Sequence, residues 1–148
     1  MSKQLILLIV LILVLIPPTI EDLRTREIRN IYFFFLILMK AIYLFVFREE
    51  KSFLSSFVSL LSAILILLLC RIVSKEGMGV GDIKLLIGIA FYLGFELFLR
   101  DLFLISLGSL LFSLFLLATK QANRKTELPF VPLILLGTIV TTLIEVVC

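Results

Sequence analysis

Apolar residues in this chain come in long blocks, not at strand or amphipathic-helix spacing, and short polar stretches separate the blocks. Leu5 to Ile16 is uninterrupted, and Pro17-Pro18-Thr19-Ile20 carries the first block to Glu21. Ile31 to Phe47 makes a second block of 17 residues around Lys40, and Phe53 to Cys70 a third of 18 residues without a charge. Leu85 to Leu99, 15 residues containing Gly88, Gly94 and Glu96, is the shortest of the later ones. Leu102 to Thr119 and Pro129 to Val147 complete the series, with Glu145 near the end of the last. A helix needs about 20 apolar residues to cross the hydrocarbon core, and each block approaches that length, the fourth only if it begins at Asp82. The pattern predicts six transmembrane helices, the first kinked or loosened at its prolines. The breaks fall at Glu21 to Asn30, Arg48 to Lys51, Arg71 to Lys84, Arg100-Asp101 and Lys120 to Glu127. No small-x-small cleavage site follows the first block, so it is expected to stay attached as a span.

Composition agrees and narrows the class. Of 148 residues 61% are apolar and mean hydropathy is +1.23, which marks an all-α integral membrane protein. The short polar breaks leave no room for a soluble domain, so residues 1–148 read as one polytopic membrane domain without repeat or linker. The basic residues are unevenly shared. Arg24, Arg26, Arg29, Arg71, Lys75, Lys84, Lys120, Arg124 and Lys125 follow odd-numbered spans, whereas only Lys3, Arg48, Lys51 and Arg100 lie on the other side. The positive-inside rule then puts the stretches around Asp22 and Asp82 in the cytosol and both termini outside. Cys70 and Cys148 fall at opposite surfaces in that topology and are not expected to bridge. Ser52, Ser55, Ser59 and Ser62 share one face of the third span, which reads first as a helix-packing face and second as a polar channel lining.

The absence of histidine excludes a Ser-His-Asp triad, a Cys-His pair and an H-E-x-x-H zinc site. Two cysteines outside any C-x-x-C cannot supply a four-cysteine zinc site. No metal, cofactor or nucleic-acid partner is expected. What remains is concentrated in Gly77-Met78-Gly79-Val80-Gly81-Asp82-Ile83-Lys84, where three alternating glycines lead to an acid and a base. Ionisable residues at the mouth of an apolar span are candidate functional groups. The plainer reading is that the glycines end one helix and Asp82 caps the next. Lys84 argues against it, because a first-turn cation opposes the helix dipole. It either snorkels to the headgroups or pairs with an aspartate or a substrate. For Lys40 and Glu96, snorkelling or contact within the bundle is expected.

The predicted topology brings Asp22 to the same membrane face as Asp82. Two carboxylates at one depth near hydrocarbon cannot both ionise cheaply if they meet, so they would share a proton. That is the arrangement of an aspartic protease, in which the ionised acid activates water and the protonated one polarises the scissile carbonyl. The alternative for Asp22 is a salt bridge to Arg26, four residues on.

Gly79-x-Gly81-Asp82-x-Lys84-Leu85, with Asp22 standing ahead of Ile28-x-Asn30, resembles the type IV prepilin peptidase family of polytopic aspartic proteases. Leu128-Pro129-Phe130 also resembles that family's pattern before its last helix. The resemblance covers the whole chain by topology. It implies Asp22 and Asp82 as the catalytic pair, with Gly79, Gly81 and Lys84 supporting the site or the approach of substrate. It also implies a prepilin-like membrane protein as substrate, cleaved behind its basic leader at the cytosolic boundary of the cell membrane. Arg29 stands where the family has proline. The cysteine-bearing insert associated with N-methylation is absent, so the chain resembles the short members and no methyl transfer is expected. A presenilin-like enzyme shares G-x-G-D, but its P-A-L motif is not present. Outside the proteases, a small transporter or an inactive assembly subunit would use the same acids to line a polar path.

Overall fold

The computed structural model describes residues 3–25, 27–47, 50–74, 79–119 and 130–147, and among these it contains six helices and no strand. In chain order these are α1 (Lys3–Thr25), α2 (Ile31–Phe47), α3 (Glu50–Val73), α4 (Val80–Leu93), α5 (Phe95–Ala118) and α6 (Val131–Val147). Leu5–Thr25, Phe53–Val73 and Phe95–Ala118 are long and apolar enough to cross a membrane, and Ile31–Phe47 and Val131–Val147 are shorter apolar helices. This set fits a membrane protein. The chain forms two compact units, Met1–Arg26 with Arg100–Cys148, and Glu27–Leu99.

In the second unit α4 is the centre, packed against both α2 and α3. Eight of its 14 residues are buried, among them Leu86, Ile89, Ala90 and Tyr92. A helix buried on most of its circumference belongs inside a bundle. It is shorter than the sequence predicts. α4 stops at Leu93, because Gly94 adopts φ +86°, a conformation that side chains rarely tolerate. The Ser55 hydroxyl of α3 accepts the Phe95 amide at 3.1 Å, supplying an acceptor at the break. The serine face of α3 is a packing face. Ser59 is fully buried, Ser55 and Ser62 are half-buried, and the Ser62 hydroxyl donates to the Ser59 carbonyl at 2.9 Å, while the side chain of Ser52 lies outside the described residues; Ser56, not part of the face read from the sequence, is buried as well. Lys40 is 1% exposed, with its ammonium 5.2 Å from the centre of the Tyr43 ring, so contact within the bundle prevails over snorkelling.

In the first unit α1 packs along α6. α1 runs through Pro17 and Pro18 without a break, and the Thr19 hydroxyl adds a bond to the Leu15 carbonyl at 2.6 Å. Glu21 and Asp22 therefore lie in the last turns of α1, not in the polar loop the sequence suggests.

The tight turn expected at Arg100-Asp101 does not exist, for both residues are inside α5. Glu96, read as a mid-span charge, is in the first turn of α5 and exposed. Asp101 is fully buried and needs no loop, because α6 supplies its partners. The Thr141 hydroxyl meets Oδ1 at 2.9 Å and the Thr138 hydroxyl meets Oδ2 at 3.3 Å. Both hydroxyls also reach the carbonyl one turn back on α6, which ties the acid into the helix–helix contact. Cys70 is exposed near the end of α3, and Cys148 lies outside the described residues.

Candidate active site

Asp82 does not cap α4. The N-cap is Gly79, at φ −62° and ψ 141°, and the first helical bond runs from the Ile83 amide to the Gly79 carbonyl at 3.2 Å. Asp82 is the third residue of the helix. An acid there faces the positive end of the helix dipole and can reach back toward the N-cap. Its carboxylate does lean back, since a Cβ placed on Gly79 would stand 3.1 Å from Asp82 Oδ2. Gly77 and Met78 lie outside the described residues.

Gly81 is held by its own chain. A Cβ there would meet the Ile28 Cβ at 3.1 Å and the Ile28 carbonyl at 3.5 Å. One turn along, Lys84 donates from Nζ to Asn30 Oδ1 at 3.0 Å, a partner outside the three that the sequence suggested. Lys84 is the fifth residue of α4, past the first turn in which the sequence suggested it, and gains an oxygen acceptor from the residue that leads into α2. The two motifs that stand apart in the sequence are joined here: Ile28 fits over Gly81, and Asn30 receives Lys84. Sequence reasoning quoted Asn30 but gave it no role. The signal was its place in the same short pattern as Ile28.

Asp22, in the other unit, is 5% exposed, and its Oδ2 accepts the Val131 amide at 3.1 Å. The start of α6 explains why. The first four amides of a helix lack partners within it. Here Pro132 has no N–H, and the Leu133 and Ile134 amides turn back to the Phe130 carbonyl at 3.0 and 3.1 Å. Only the Val131 amide still needs an acceptor, and the Asp22 carboxylate provides it, with its charge toward the positive end of α6. The salt bridge considered between Asp22 and Arg26 involves a residue outside the described ones, as do Leu128 and Pro129. The α6 contact was not anticipated, although Pro132 in a first helical turn was visible in the sequence.

Asp22, in one unit, thus meets the first turn of α6, and Asp82, in the other, sits in the first turn of α4. The family model of type IV leader peptidases matches residues 6–146, and the chain belongs to that family. No curated protein and no solved structure gave a match. Membership makes the chain a leader-peptidase-like protease and implies a membrane protein as its substrate.

Proposed function

We propose that this protein is an aspartic endopeptidase that removes the basic leader of a prepilin-like substrate at the cytosolic boundary of the membrane. Asp22 and Asp82 are its catalytic pair. The observation that carries this reading is the junction of Ile28 and Asn30 with Gly81 and Lys84, since it joins the segment downstream of Asp22 to the turn that bears Asp82. The ionised carboxylate takes a proton from water as the oxygen attacks the scissile carbonyl, and the protonated one donates to the developing oxyanion. Collapse of the tetrahedral intermediate releases the mature N-terminus as an amine, which leaves with a proton from the pair. With Oδ2 bound to Val131, Oδ1 of Asp22 is the oxygen assigned to this proton traffic.

The topology that goes with it has six spans, both termini outside, and the Asp22 and Asp82 ends facing the cytosol. Co-expression with a Flp-type prepilin tests the reading. The pilin is expected to lose its basic leader by a cut following glycine, seen as a shortened band and confirmed by the mass of its N-terminal peptide. A prepilin that keeps its full length beside well-expressed protein would refute the assignment and favour a transporter or an inactive assembly subunit.

A further inference from the structure

Asp22, Asp101 and the whole of α6 belong to the first unit. Asp101 is fully buried, yet the chemistry assigned to Asp22 and Asp82 does not use it. Its carboxyl grips α6 at two points one helical turn apart, Thr138 at 3.3 Å and Thr141 at 2.9 Å. A two-point hold fixes both the rotation and the axial position of a helix. The main chains close in beside it, since a Cβ on Gly137 would stand 3.2 Å from the Cα and the N of Ile105 in α5. In a bilayer such contacts decide register, because lipid tails solvate an apolar helix face as well as another helix does. Val131 lies two turns before Thr138, about 10 Å along α6, and its amide meets Asp22 Oδ2 at 3.1 Å. A slip of α6 by one turn would carry that amide about 5.4 Å along the axis and out of hydrogen-bond reach.

We propose that Asp101 is a positioning residue for Asp22, acting through α6. It sets the register of that helix so that the Val131 amide holds Oδ2 of Asp22 and keeps Oδ1 for the proton traffic; this rests on the assignment of Asp22 to the catalytic pair. Asp101→Leu removes the grip without orphaning a polar group. The Thr138 and Thr141 hydroxyls still donate to the Ile134 and Gly137 carbonyls, at 2.9 and 3.0 Å. Asp101→Asn is the conservative exchange. Its side-chain oxygen can accept the Thr141 hydroxyl, and its amide can donate to the Thr138 oxygen.

Two readouts on the full chain test this. In prepilin cleavage, Asp101→Leu is expected to lower kcat about tenfold to a hundredfold, the scale of a small misplacement, with KM and melting temperature unchanged. Asp101→Asn should keep most of the rate. The second readout is the Val131 amide itself. Labelling phenylalanine carbonyls with carbon-13 and valine amides with nitrogen-15 reduces the spectrum to Val46, Val58 and Val131, and the signal displaced by Asp22→Ala belongs to Val131. Asp101→Leu should move that signal in the same direction, and Asp101→Asn should leave it in place. If Asp101→Leu fails to fold, Asp101→Leu with Thr138→Val and Thr141→Val replaces every partner by an apolar group of similar shape, nearly neutral for stability, and should show the same two effects. A wild-type kcat in the leucine variant, an unmoved Val131 signal, or equal losses in the leucine and asparagine variants would each overturn the proposal. Wild-type protein that leaves prepilin uncut would instead refute the protease reading, and the Val131 signal would still decide whether Asp101 governs the contact with Asp22.

Discussion

Asp22→Asn and Asp82→Asn are each expected to abolish leader cleavage while leaving the amount of folded protein unchanged. Asparagine is nearly the same size as aspartate but carries no exchangeable acid proton and no charge, so removing either acid should cost roughly 10²–10⁴-fold in turnover, or more. Stability behaves differently. In Asp22→Asn the side-chain amide oxygen would still accept the Val131 amide, and asparagine is as good a helix cap as aspartate. Asp22→Ala removes both the acid and the cap, and should lower stability by about 1 kcal/mol in addition to losing activity. At Asp82 the loss of a first-turn charge costs only about 0.3–1 kcal/mol. The measurement is prepilin turnover in detergent beside a melting curve for each variant. Near-normal turnover in either asparagine variant would eliminate the pair.

Gly81→Ala is expected to reduce cleavage steeply, by about tenfold to a hundredfold, the scale on which small misplacements act. The added methyl would stand 3.1 Å from the Ile28 Cβ, so Ile28 must yield by a few tenths of an ångström and draw the segment of Asn30 away from α4. The sequence suggests that Gly81 leaves room for a substrate strand, whereas the fold fills that room with Ile28. The reciprocal exchange separates the two readings. Ile28→Gly in the Gly81→Ala background leaves only the carbonyl of residue 28 near the methyl, at an ordinary 3.5 Å, and should restore a large part of the cleavage. Restoration would mean that the contact between segments sets the geometry. No restoration at equal expression would mean that the methyl obstructs the substrate, and full activity in Gly81→Ala alone would remove the loop from the mechanism.

Much of this architecture is legible in the sequence where one local force dominates. α2 begins and ends at the residues where its apolar block does, since burial of apolar side chains and the helical backbone favour the same limits. α3 outruns its block at both ends, because a charged side chain at a membrane boundary need not interrupt hydrogen bonding along the backbone. The largest error is the break assigned to Arg100-Asp101. Charge is a loop signal only when the charged group must reach water, and Asp101 is satisfied by two threonines of α6 instead. The actual break at Gly94 depends on a backbone angle that only glycine accepts readily, and the sequence offers several glycines without saying which is bent.

The site divides in the same way. Asp22, Asp82, Gly79, Gly81 and Lys84 stand out because they are polar or lack a side chain amid hydrocarbon. Their partners do not, since Asn30 lies 54 residues from Lys84 and Val131 lies 109 from Asp22, and spacing says nothing about contacts that distant. The amide that holds Asp22 belongs to an apolar residue, and its need for an acceptor arises only once Pro132 and the Phe130 carbonyl have accounted for the amides around it.

The central proposal is that Asp22 and Asp82 act as one catalytic pair, and cross-linking tests it most directly. In protein freed of Cys70 and Cys148, Asp22→Cys with Asp82→Cys can be treated with a short bifunctional thiol reagent in native membranes. Ile28→Cys with Gly81→Cys serves as the control, since those residues already touch. The account predicts an intramolecular cross-link between positions 22 and 82 about as efficient as the control, and its suppression by a prepilin peptide that occupies the site. A control pair that cross-links fully while positions 22 and 82 remain unlinked would contradict it.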